Sequence, residues 1–100
     1  MISDDVSPEV RRLIYLVTKT IIEKTKNNLN ASIRFRLVYD EACKKDTKNK
    51  YDFSNLELRQ HIRDILLRND FIFVNPEDAE DVFITKKAID QYELLSKDKL

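Results

Sequence analysis

Not one of the 100 residues is glycine, and that absence constrains the chain more than any residue it contains. About seven would be expected at average usage. Glycine normally supplies the left-handed backbone that ends helices and closes tight turns. Here asparagine, aspartate or another residue with a Cβ must adopt that conformation, at a steric cost. The same absence removes whole function classes. A Gly-rich phosphate loop cannot be built, so nucleotide enzymes of the P-loop and Rossmann kinds are excluded.

The length suits a single domain, spanning 1–100 with a core of about 8–96. A hydrophobic share of 42% is enough for a real core, of modest stability. Charged residues make up 36%, but 18 basic and 18 acidic groups cancel. Bulk charge therefore points to neither nucleic acid nor membrane. No apolar run approaches the roughly 18 residues of a membrane span, and the N-terminus lacks a signal-peptide pattern, so no membrane partner is expected. Cys43 is the lone cysteine, which excludes a disulfide framework and fits a reducing, cytoplasmic setting.

Charge is distributed less evenly than its sum suggests. Residues 34–68 are net basic, whereas 69–85 carry Asp70, Glu77, Asp78, Glu80 and Asp81 with no lysine or arginine. Such asymmetry can set a basic face beside an acidic one.

Ser7-Pro8-Glu9 is a helix start: an N-cap, a proline at the first helical position and an acid at the positive end of the dipole. Val10, Leu13, Ile14, Val17 and Ile21 then recur at helical spacing, while Thr18, Lys19, Glu23 and Lys26 face elsewhere, predicting a helix over 8–27. Asn27, Asn28 and Asn30 end it and are expected to supply the left-handed turn. The stretch from Ile33 to Ala42 fits both strand and helix periods; a strand near 32–35 followed by a helix over 36–45 accommodates both. Residues 44–50 read as a polar loop. Ser54 and Glu57 form a capping box that opens a helix over 54–68, with Leu58, Ile62, Ile65 and Leu66 inward and an asparagine cap expected at Asn69-Asp70. Residues 71–74 read as a buried strand, 75–81 as an acidic turn, and 82–84 as the return strand. Thr85 caps a last helix holding Ala88, Ile89, Tyr92 and Leu95, over 86–96.

The segment Leu66-Leu67-Arg68-Asn69-Asp70-Phe71-Ile72-Phe73-Val74, followed by Val82-Phe83-Ile84-Thr85-Lys86-Lys87-Ala88, resembles the end of a winged helix-turn-helix domain of small prokaryotic MarR- and PadR-type regulators. The resemblance extends over 8–96 in element order and over 66–88 in residue detail. Asn69-Asp70 and Lys87-Ala88 stand where those proteins often carry glycine. The fold class it implies is α+β, mainly α: helix, short strand, two helices, a two-stranded wing and a C-terminal helix. It also implies that 54–68 is a recognition helix lying in the major groove of duplex DNA.

A helical projection adds an independent test of that face. At about 100° per residue, Ile62, Ile65 and Leu66 lie within about 80° of Leu58, whereas Arg59, Arg63, Leu56 and Gln60 turn progressively away, from about 100° to about 200°. Arg59, Gln60 and Arg63 are residue types that read base edges bidentately. Asn55, on the flank, reaches DNA only from the first turn. Lys44, Lys45, Lys48 and Lys50, with Tyr51 beside them, are expected phosphate contacts. The acids of 75–81 argue otherwise, since carboxylates at a wing tip oppose phosphate. They leave open a rival reading, a winged-helix protein–protein interaction module of a larger assembly.

Catalysis finds little footing. His61 lies among Arg59, Arg63 and Asp64, and Cys43 at a helix end; no second histidine or cysteine completes a metal site or a nucleophile–base pair. The expectation is a non-enzymatic regulator without cofactor or metal. Tyr15, Leu16 and Ile22 lie off the first helix's stripe, and Tyr92, Leu94 and Leu95 crowd the last helix. That apolar excess predicts a homodimer through helices 8–27 and 86–96.

Overall fold

A computed structural model describes the backbone of residues 7–45 and 56–97 and the side chains of 7–45 and 56–94. The elements are α1 (Pro8–Thr25), β1 (Ile33–Arg34), α2 (Phe35–Lys45), α3 (Leu56–Arg68), β2 (Ile72–Asn75), β3 (Asp78–Ile84) and α4 (Lys86–Lys97). The protein is α+β and mainly helical, with one small antiparallel sheet ordered β1-β3-β2.

The Ser7 hydroxyl accepts from the Val10 amide at 3.2 Å, so α1 begins as its sequence predicts. Its end meets the expectation at Asn27 and adds Lys26. Lys26 at φ 55° and Asn27 at φ 65° both take the left-handed conformation, and neither Asn28 nor Asn30 does. At the end of α3 the left-handed residue is Asp70, at φ 60°. Asn69 instead donates its side-chain amide to the Ile65 carbonyl at 2.8 Å. Each such non-glycine position costs about 1–2 kcal/mol.

The single-stripe reading of α1 needs correction. Leu16, Ile22, Thr18 and Thr20 are buried along with Leu13, Ile14, Val17 and Ile21. The reason is tertiary: α1 packs against both α2 and α4 and also touches α3 and the sheet, so it is covered nearly all round. Threonine fits there because each hydroxyl donates to the carbonyl four residues back, Thr18 to Ile14 at 2.8 Å and Thr20 to Leu16 at 2.7 Å. Tyr15 stacks on Tyr92 of α4, with centroids 5.9 Å apart. The surface invoked for a homodimer is therefore largely covered within one chain, although Leu94 remains exposed.

Ile33-Arg34 settles the ambiguous stretch. It pairs with Val82 and Asp81 for two residues, and the helix starts at once with Phe35. In the hairpin, Ile72, Phe73 and Val74 pair with Ile84, Phe83 and Val82. Ile72, Val82 and Ile84 enter the core, and the Phe73 and Phe83 rings stack 5.0 Å apart on the other face. β3 begins at Asp78, so Asp78–Asp81, expected in a turn, are strand residues. An irregularity after Val74 lets Asn75 pair with Asp78. Thr85 caps α4 by accepting from the Ala88 amide, and donates to the Asp70 carbonyl at 2.6 Å. Cys43 is a buried core residue. No helix among the described residues is long and apolar enough to cross a membrane.

Candidate nucleic-acid interface

Three buried side chains, Ile62, Ile65 and Leu66, hold α3 against the core. Fully burying each contributes about 1.5–3 kcal/mol, which makes the helix a firm platform. Its crest is Glu57, Gln60, His61 and Asp64, all exposed. Arg59 and Arg63 are half-buried on the flank that turns toward the start of α2 and the hairpin.

That flank is concave. Phe35 and Arg36 of α2, Arg59, Gln60 and Arg63 of α3, and Ala79 and Glu80 of β3 line a depression of about 40 Å³, open on one side. The three residues predicted from the outward face of α3 are thus together, and Arg36 joins them. Arg63 is fixed in place: its Nη2 donates to the Ala79 carbonyl at 2.6 Å, and its buried Nε has no hydrogen-bond partner. Among the described residues, Arg36, Arg59 and Arg63 make no ion pair. α2 opens toward the depression with no acid in its first turn, so its dipole adds to the positive potential.

The lysines fall elsewhere. Lys44 and Lys45, where the helix expected over 36–45 and the loop expected over 44–50 overlap, occupy the last turn of α2 and do not line the depression. Lys45 pairs with Glu23 of α1 at 3.0 Å and with Glu41 at 3.5 Å, and its ammonium donates to the Thr20 hydroxyl at 3.4 Å. It is a strut between helices, joining the end of α2 to the last third of α1. Lys24 adds a 3.0 Å pair to Glu41. The Lys24 hydrogen bond lowers the Glu41 carboxyl below its ordinary value against partial burial, with Lys45 assisting. Burial works against the Lys45 ammonium, but Glu23 and Glu41 outweigh it and raise its pKa. Lys48, Lys50, Tyr51, Ser54 and Asn55 lie outside the described residues.

The acidic hairpin is answered from within the sheet. Arg34 on β1 reaches Asp78 at 3.2 Å, Asp81 at 3.7 Å and Glu80 at 3.9 Å. Sequence reasoning missed both Arg34 and Arg36. The available signal was their flanking of Phe35 at the strand-to-helix switch: a helix starting at Phe35 sends the two arginines to different partners. The Ala79 contact had no signal, since a carbonyl is common to every residue. His61 is exposed, and no group of His, Cys, Asp or Glu among the described residues is placed to hold a metal ion.

Compared with family models, curated proteins and solved structures, the chain matches none.

Proposed function

We propose that the protein binds duplex DNA sequence-specifically through α3, as a small winged-helix transcriptional regulator acting by promoter occupancy. The element order, with β3 central between β1 and β2, supports the winged-helix reading. The observation that carries the function is the convergence of Arg36, Arg59, Gln60 and Arg63 beside the exposed crest of α3, with no carboxylate paired to the arginines. Arg34 eases the main objection in part, because its one positive charge is shared among the three carboxylates of β3.

A mobility-shift series with duplex DNA at rising salt tests the reading. Affinity should fall linearly on logarithmic axes, since bound phosphate releases counterions. Gln60→Ala should reduce discrimination between preferred and random duplexes by about 1–3 kcal/mol. Absence of duplex binding even at low salt would sink the proposal.

A second reading has its own support. Phe73 is 48% exposed and stacked on Phe83, in the same hairpin that carries Glu77, Asp78, Glu80 and Asp81. An exposed aromatic pair on an acidic hairpin suits a protein contact. A partner that co-purifies with the wild type and is lost on Phe73→Ser would favour this interaction-module reading.

A further inference from the structure

We infer that the depression between α2, α3 and β3 is an oxyanion site that holds a single phosphate group, and that Arg59 and Arg63 serve it in preference to base edges. The site needs no DNA to exist; that the phosphate comes from a duplex backbone rests on the reading above.

Size is the first argument. A site for one water requires roughly 10–15 Å³, so about 40 Å³ is room for about three water-sized groups. That is enough to seat the oxygens of one tetrahedral oxyanion that projects from the open side. Geometry is the second. Arg63 cannot extend into a major groove while its Nη2 is bonded to Ala79, and on a half-buried flank it meets only what comes down to it. A backbone phosphate riding over the lip of α3 does so; a base edge at the floor of the groove faces the crest, where Gln60 and His61 are exposed. Charge is the third. Arg36, Arg59 and Arg63 bring three guanidiniums to one concavity, none paired to a carboxylate among the described residues. Planar guanidinium forks match tetrahedral oxyanions, and the hydrogen bonds are charge-assisted. The unmade bond at Arg63 Nε is the fourth, because a buried donor without an acceptor is costly. An oxyanion at this lip brings acceptor oxygens to that guanidinium.

Glu80 is the one carboxylate on the lining. It is drawn toward Arg34 and sets an upper limit on affinity. Removing its charge should tighten binding.

The test titrates inorganic phosphate into the full chain at constant ionic strength, with chloride as the matched control, and follows the arginine Nε–H signals by NMR. Phosphate should move the Arg63 and Arg59 signals saturably where chloride does not. Arg59→Gln and Arg36→Gln, whose side chains make no hydrogen bond within the described structure, should each weaken binding about tenfold, and Glu80→Gln should strengthen it. Equal responses to phosphate and chloride, or an unchanged titration in Arg59→Gln, would overturn the inference. Two further arms separate the sources. If duplex DNA binds and phosphate displaces it better than chloride does, the occupant is a backbone phosphate. If phosphate titrates but no duplex binds, the site stands with a free phosphate or phosphorylated small molecule as ligand, and the DNA reading falls.

Discussion

The protein gathers cations in two places and treats them in opposite ways. Between α1 and α2, Lys24 and Lys45 meet Glu23 and Glu41 at 3.0–3.5 Å, and charge is balanced pair by pair. Between α3 and the hairpin, Arg36, Arg59 and Arg63 share a depression in which the one close partner is a neutral carbonyl, that of Ala79. Both clusters join separate elements, so both could be read as structural glue. Among the described residues, only the second holds its cations without an ion pair, with Glu80 alone as a carboxylate on its lining. A paired ammonium has little left to offer a ligand, whereas a guanidinium held by a carbonyl is fixed in place with its charge intact. Residue type alone would have ranked the lysines and arginines alike; the partner decides.

The comparison breaks most visibly if the α3 platform is undermined. Ile62 is fully buried on the inner face of α3, in the stretch that carries Arg59 and Arg63. Ile62→Ala should cost about 2–5 kcal/mol of folding stability, measured by urea denaturation. A cost below about 1 kcal/mol would mean that α3 is not anchored as described. Next in size are the balanced pairs. Lys45→Met should change stability by no more than about 1 kcal/mol, since the pairs are partly exposed, and should leave duplex affinity and its salt dependence unaltered. An affinity loss matching that of Arg59→Gln would erase the distinction between the two clusters.

The pH dependence of the same pairs sharpens it further. The Glu41 carboxyl is lowered in the folded state, so its contribution is present above the unfolded value and is lost as pH falls through the lowered one. The Lys45 ammonium is raised, so its contribution holds below 10.5 and is lost above the raised value. The stability difference between wild type and Glu41→Gln should therefore be constant near neutrality and vanish in acid. A difference that persists at pH well below the Glu41 value would show that packing, not charge, is responsible. At the corner joining α3 to β2 the glycine variant gives the smallest effect of all and the valine variant a larger one. Asp70→Gly should alter stability by less than about 0.5 kcal/mol, as relief of the left-handed strain is offset by a looser unfolded chain. Asp70→Val should destabilise by about 1–2 kcal/mol.

What was legible in the sequence followed from local chemistry. Ser7-Pro8 fixed the start of α1, and the spacing of Ile62, Ile65 and Leu66 fixed the inner face of α3 and hence the side on which Arg59, Gln60 and Arg63 fall. Thr85 marked the start of α4 through its hydroxyl. The short strand expected near 32–35 is realised at Ile33-Arg34, held there by Val82 and Asp81, 49 and 47 residues further along the chain. The misses share a long-range cause. Asp78–Asp81 extend as a strand although acids disfavour pairing, because Arg34 arrives from the neighbouring strand. Leu16 and Ile22 are buried because α1 is central, and no periodicity within one helix reveals how many neighbours will cover it. Lys45 looked like a phosphate ligand until Glu23, 22 residues away, proved to be its partner.

The sheet order also bears on how copies of this chain behave toward one another. β2 is an edge strand, and its residue Phe73 is about half exposed next to unpaired backbone. An aromatic edge of this kind is a template for strand addition by a second copy. With 18 charges of each sign, the whole molecule has no net repulsion to keep copies apart. The protection is local: a second hairpin docking on this edge would bring its own Glu77, Asp78, Glu80 and Asp81 toward the first set, and like charges oppose that approach. The acidity that handicaps the hairpin near phosphate is thus expected to oppose edge-to-edge association, and neutralising it to favour DNA should promote self-assembly.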